Sequence, residues 1–137
     1  MFTFNVDGIE QTLADLESIF SEQNLQKIKD KALEEGATFM RNKIHAAQLK
    51  TKDTGAMASE VTFSDPQTID GERVVTIHWK GPDNRYRVVH LVENGFYDRS
   101  GKFIKPAGYG QIENVLASNQ ARYIQIVQNS IARQIGA

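Results

Sequence analysis

The residues YRVVHLVENGFYDRSGKFIKPA, Tyr86 to Ala107, decide how the chain divides. A mostly apolar run carrying His90 and Glu93 breaks at Gly95 into a polar, glycine-containing tip, with long helical patterns before and after it. By period the first part fits two structures. VVHLV is β-branched, yet Tyr86, Val89 and Glu93 share one face of a helix, and we read the segment as helical. Phe96-Tyr97 and Phe103-Ile104 flank Asp98-Arg99-Ser100-Gly101-Lys102, a pattern that predicts a hairpin with an exposed, charged tip.

Upstream of it, Gly81-Pro82-Asp83-Asn84 is a turn. Arg73–Lys80 is the clearest strand, with Val75, Ile77 and Trp79 on one face and Val74, Thr76 and His78 on the other. Both faces are partly apolar, which predicts a central position in a sheet. Pro66 and Asp70-Gly71 frame a turn region ahead of it, Val61 and Phe63 start an alternating strand, and Ala56–Glu60 forms one short turn. The polar run Gln48–Gly55 ends the longest helix signal, in which Leu25, Ile28, Ala32, Met40, Ile44 and Ala47 recur at helical spacing, widened by Leu33, Ala37 and Phe39. Ser21 supplies its cap. Gly36 inside it costs about 1 kcal/mol relative to Ala, so its presence predicts close approach by a neighbour. Nearer the start, Phe2–Asn5 alternates like a strand, Asp7-Gly8 breaks it, and Ile9, Leu13, Leu16, Ile19 and Phe20 predict a further short helix.

Downstream, Ile112, Val115 and Leu116 open a helix from Gln111. Ser118-Asn119 either interrupts it or caps a second segment carrying Tyr123, Ile124, Val127, Ile131 and Ile135, and Gly136 closes the pattern. The expected fold is α+β. A long N-terminal helix and a C-terminal helix pack on a small antiparallel sheet of three to four strands with a protruding hairpin. At 137 residues the chain is expected to form a single domain, 1–137.

Composition narrows the function classes. The 40% hydrophobic and 24% charged fractions are those of a globular chain. No apolar run is long enough to span a membrane, and the first residues do not read as a secretory signal, so a cytosolic origin is expected. The absence of cysteine excludes disulfides and thiolate metal sites. A net charge of −1 gives no overall footprint for nucleic acid. Residues 1–70 hold 12 Asp/Glu against 7 Lys/Arg, whereas residues 71–137 hold 5 against 9. If these halves occupy different faces, copies attract head to tail; if they interleave, the asymmetry cancels.

Several motifs carry possible chemistry. Asp53-Thr54-Gly55-Ala56 matches the core of the retroviral-type aspartic protease signature, in which two such carboxylates share a proton, so a dimeric aspartic-protease-like enzyme is the alternative reading. That site needs apolar strands to desolvate its Asp, and Gln48, Lys50, Thr51 and Lys52 precede this one. His90 and Glu93 at i, i+3 reach one metal from a helix, but two ligands do not make a site. His45 and His78 have no recognisable partners. There is no strand-Ser-helix elbow, and Gly108-Tyr109-Gly110 lacks the third glycine of a phosphate loop. No cofactor is expected. Arg85, Arg87, Arg99, Lys102 and Lys105, interleaved with Tyr86, Phe96, Tyr97 and Phe103, fit either single-stranded nucleic acid or a protein interface. The near-neutral total charge favours the interface.

Tyr86-Arg87, then His90-Leu91-Val92-Glu93-Asn94-Gly95, then Gly101, then Ile104-Lys105-Pro106-Ala107 resemble the HK-type gene-product-ten-like family of neck and tail-completion proteins of long-tailed bacteriophages and prophages. Thr54-Gly55-Ala56-Met57 is similar to that family's Thr-Gly-x-Leu segment. The likeness covers roughly residues 25 to 135 in order of elements. Two positions depart: Phe96 stands where many members have His, and Ser59 falls one place early. The resemblance implies a virion component without catalysis, made in the host cytoplasm, that assembles as a homo-oligomeric ring, a hexamer being one option. Its implied partners are connector or portal-complex and tail proteins, with no membrane and no sequence-specific nucleic acid. Phe96, Tyr97, Asp98, Arg99, Lys102, Phe103 and Lys105 are the expected protein-interface residues.

Overall fold

The computed structural model describes residues 2–5, 21–51 and 55–136. The helix expected over Ile9–Phe20 lies outside them, as do Asp53 and Thr54. Strand β1 is Phe2–Phe4. Helix α1, Glu22–Lys50, starts where the Ser21 hydroxyl accepts the Asn24 N–H at 3.3 Å. That bond satisfies one of the donors every helix start leaves open. Its buried stripe is the one its spacing predicts, from Leu25 and Ile28 through Met40 and Ile44 to Gln48. Short helix α2, Ala56–Glu60, runs directly into β2, Val61–Phe63.

Strand β4, Glu72–Trp79, organises the sheet, because every other strand in it pairs with β4. β1 runs antiparallel to it with Phe2 opposite Ile77. β2 sets Val61 opposite Trp79. The segment between Pro66 and Asp70 is not only a turn, as its sequence suggests, but a third partner: β3, Gln67–Ile69, pairs with Val74–Glu72. Asp70 and Gly71 have φ of 52° and 81°. Two left-handed residues in succession make the tight connection whose twist matches the strands it joins. Pro66, which cannot donate to a ladder, falls between β2 and β3, where the pairing is interrupted.

Helix α4, Gln111–Gln134, is continuous. Ser118-Asn119 does not break it, because Asn119 Nδ2 donates to the Val115 carbonyl at 2.8 Å and so works within the helix. It ends at Gly136, φ 77°. α1 and α4 pack closely at Gly36, where an added Cβ would lie 2.5 Å from Tyr123 Cε2 and 3.1 Å from Val127 Cγ2. Tyr123 is fixed in turn: its hydroxyl donates to the Asn5 carbonyl at 2.7 Å and its ring sits 5.5 Å from that of Phe4. One core joins α1, α4 and the sheet through Ala32, Met40, Ile44, Ile77, Trp79, Val127 and Ile131. Each of the Val, Ile and Met side chains contributes about 1.5–3 kcal/mol when removed from water.

The acidic and basic halves of the chain interleave at both ion pairs found among the described residues. Arg73 donates two bonds to Asp30, at 2.7 and 2.9 Å, and Arg133 reaches Glu35 at 2.6 Å. Each pair joins one half to the other.

Candidate functional site

The stretch from Asn84 to Gly110 is built outward from two carboxylates. Glu60, at the end of α2, is buried, and it accepts the backbone N–H of Asp83 at 2.9 Å and of Arg85 at 3.0 Å. It thereby fixes the Gly81–Asn84 turn, whose Asn84 has φ 52°. A 3₁₀ turn, Arg85–Arg87, follows, then helix α3, Val89–Asn94. The helical reading of this apolar run therefore holds from Val89 onward, with Val89 as its buried anchor.

Glu93 is the second carboxylate. Its Oε1 accepts Ile112 N–H at 2.7 Å and its Oε2 accepts Glu113 N–H at 3.0 Å, while its carbonyl accepts Gly110 N–H at 2.9 Å. Gly110 caps α4 without a side chain. Glu93 supplies that cap from another helix, with its charge at the positive end of the helix dipole. The i, i+3 partner His90 is exposed. Among the described residues no three His, Cys, Asp or Glu side chains are grouped to hold a metal. His45 is also accounted for, since its Nδ1 lies 2.6 Å from the Ala58 carbonyl and donates to it.

Between Glu93 and Gly110 the chain forms a projecting loop. Gly95 turns it, with φ 73° and ψ 176°, a combination that side-chain-bearing residues avoid. An added Cβ there would also lie 2.6 Å from Phe103 Cζ and 2.8 Å from the Ile104 carbonyl oxygen. β5, Phe96–Tyr97, pairs with β6, Phe103–Ile104, placing Phe96 opposite Ile104 and Tyr97 opposite Phe103. Alternation then separates two faces. On one, the Tyr97, Phe103 and Tyr109 rings form an edge-to-face row with centroids 5.1 and 6.2 Å apart. Tyr97 is 73% exposed.

The expected interface residues thus come together on one hairpin, with Asp98 in a different role from the rest. Asp98 Oδ1 accepts Ser100 N–H at 2.9 Å, the Ser100 hydroxyl at 2.6 Å and Lys102 N–H at 3.0 Å. It folds the loop on itself, and the bond from the Ser100 side chain, with those from the backbone, holds its carboxyl below the usual range. Arg99 and Lys102 are left exposed at the tip. Tyr109 belongs to the aromatic row but was not among the expected residues; Lys105 Nζ lies 5.3 Å from its ring centroid. Its flanking glycines drew the reading towards phosphate loops instead of contact surfaces.

An open cavity of about 290 Å³ lies where α1, α2 and α3 meet the start of α4, lined by Gln48, Met57, Arg85, Val92 and Gln111 among others, and it gathers no catalytic constellation. At the DTGA segment, Gly55 has φ 82° and caps α2. α1 precedes this segment, not an apolar strand.

Fold and site together define a small α+β protein that carries exposed aromatic and cationic side chains on a hairpin between α3 and α4. Residues 10–95 match the family model described as "Bacteriophage HK97-gp10, putative tail-component", and the chain belongs to that family of phage tail components. The matched segment includes Thr54–Met57, Tyr86-Arg87 and His90–Gly95, and it ends before Ile104–Ala107 and α4. No curated protein and no solved structure matches the chain. No helix among the described residues is long and apolar enough to cross a membrane.

Proposed function

We propose that this protein is a structural subunit of a tailed bacteriophage or prophage particle, acting at the head-tail junction as a neck or tail-completion component. It assembles as a homo-oligomeric ring, joins connector or portal-complex and tail proteins, and carries no catalytic activity. The subunit is made in the host cytoplasm and ends in the virion. The observation that carries this reading is the hairpin: Phe96, Tyr97 and Phe103 expose aromatic surface beside Arg99, residue types enriched at the centres of protein interfaces, with Lys102 and Lys105 placed as a polar rim would be. Membership of a phage tail-component family supports the particle, and a projecting loop suits the non-identical paired surfaces that a ring requires. The dimeric protease alternative at Asp53-Thr54-Gly55 gains nothing from the fold, in which the long helix α1 precedes the segment and the short helix α2 follows it.

The test is a particle carrying Arg99→Glu and Lys102→Glu. Heads and tails are expected to accumulate unjoined, while the purified variant keeps the wild-type circular dichroism and melting temperature. Normal yields of infectious particles overturn the proposal.

A further inference from the structure

The hairpin stretch concentrates positive charge well beyond the three cations of the hairpin and its base. Residues 85–110 carry Arg85, Arg87, Arg99, Lys102 and Lys105 against Glu93 and Asp98, a balance of +3 that leaves −4 on the rest of the chain. Both carboxylates are engaged by backbone: Glu93 by Ile112 and Glu113, Asp98 by Ser100 and Lys102. Outside this stretch the arginines bond to other parts of the protein, Arg73 to Asp30, Arg133 to Glu35, Arg41 to the Val61 carbonyl and Arg122 to Gln125. Inside it, neither of the ion pairs found among the described residues involves any of the five cations.

Two of the five are held by aromatic rings. Arg87 Nε donates to the Tyr86 hydroxyl at 3.0 Å with its guanidinium 5.6 Å from the ring centroid, and Lys105 lies over Tyr109. A ring orients a cation without neutralising it. Arg87, Arg99, Lys102 and Lys105 are exposed, beside Tyr86, Tyr97 and Tyr109. Cations positioned by rings, on a stretch that also exposes aromatic side chains, are the elements with which proteins bind nucleic acid independently of sequence.

We infer that the Arg85–Tyr109 surface binds the phosphodiester backbone of nucleic acid without sequence preference. This goes beyond the structural role proposed above and does not depend on ring assembly.

The full chain is titrated into fluorescein-labelled 30-base-pair duplexes of two unrelated sequences, and into a 30-nucleotide single strand, from 50 to 200 mM NaCl. Binding is expected to be equal for the two duplexes, with log K falling against log[NaCl] at a slope of about −3 to −5, as release of a counterion per neutralised phosphate requires. Arg85→Gln with Arg87→Gln lies outside the hairpin and should make the slope shallower by about 2. Tyr97→Ala assigns the source: weaker binding of the single strand alone identifies stacked bases, and no change in either identifies the duplex. No binding at 50 mM NaCl overturns the inference, as does a slope unchanged by the double substitution. Equal affinity for poly-glutamate also overturns it, in favour of an acidic protein surface. Light scattering on the same samples separates this from assembly, since DNA binding and oligomer mass are read independently.

Discussion

Replacing Glu93 with Gln tests whether the His90/Glu93 pair serves the fold or a metal. The native carboxylate accepts Ile112 N–H at 2.7 Å and Glu113 N–H at 3.0 Å. An amide keeps a single acceptor oxygen, so one of those N–H groups would face an NH₂. Ile112 is 2% exposed, which leaves water little access to replace the lost bond at that position. An unsatisfied buried donor costs about 1–3 kcal/mol. Losing a negative charge at a helix start adds about 0.3–1 kcal/mol. We expect Glu93→Gln to lower stability by about 2 kcal/mol in urea unfolding, with the loss concentrated in faster amide exchange at Ile112 and Glu113. EDTA should leave the wild type unchanged. A variant within about 0.5 kcal/mol of wild type, the range of an ordinary surface change, refutes the capping argument. So does a wild type that EDTA destabilises to the same extent as the mutation.

Other perturbations follow from packing and backbone geometry. Gly36→Ala gains about 1 kcal/mol of helix propensity but forces a methyl against a Tyr123 ring fixed by Asn5 and Phe4, so a net loss of about 1–2 kcal/mol is expected in thermal melts. Glu60→Ala should cost about 1–3 kcal/mol by stranding the Asp83 and Arg85 amides, read by urea unfolding. Gly95→Ala, strained in φ and blocked by Phe103, should abolish the cross-strand contacts between Tyr97 and Phe103 seen by NMR while the α1–α4 core stays folded. Because the folded-state pKa of Asp98 is depressed, its contribution to the hairpin is present at neutral pH and lost as pH falls through that lowered value. Ser100 and Lys102 amide shifts should titrate together there, and Asp98→Asn should remove the transition.

Most of the architecture was legible because its signals are periodic. Twenty-nine residues of α1 repeat an apolar stripe that only a helix uses, and the cost of Gly36 announced a close neighbour, which the structure shows to be Tyr123. Arg73–Lys80 read as central because both of its faces are partly apolar, and β4 is the strand with which β1, β2 and β3 all pair. β3 was hidden because its three residues are all exposed and carry no alternation between core and solvent. Ser118-Asn119 misled because a local polar pair has two uses, capping a helix start or bonding back within one, and spacing does not distinguish them. The hairpin was legible from its aromatic pairs. The work of Asp98 within its own turn was not, since a carboxylate in a charged tip looks the same whether it faces a partner or the loop's own amides. Glu60 and Glu93 were opaque for a similar reason: each serves backbone groups about 20 or more residues away, at distances that no local pattern encodes.

The bond from Gly110 N–H to the Glu93 carbonyl, at 2.9 Å, pinches the chain where the projecting loop begins and ends. Everything from Gly95 to Tyr109 is strung between two points that already touch, and α3 and α4 hold those points whether or not the loop is intact. Such a loop is an interchangeable part. Lengthening it at the exposed Ser100-Gly101 apex costs only the slow logarithmic growth of closure entropy, about 0.6 kcal/mol per doubling. An engineer can splice an epitope there without re-solving the fold beneath it.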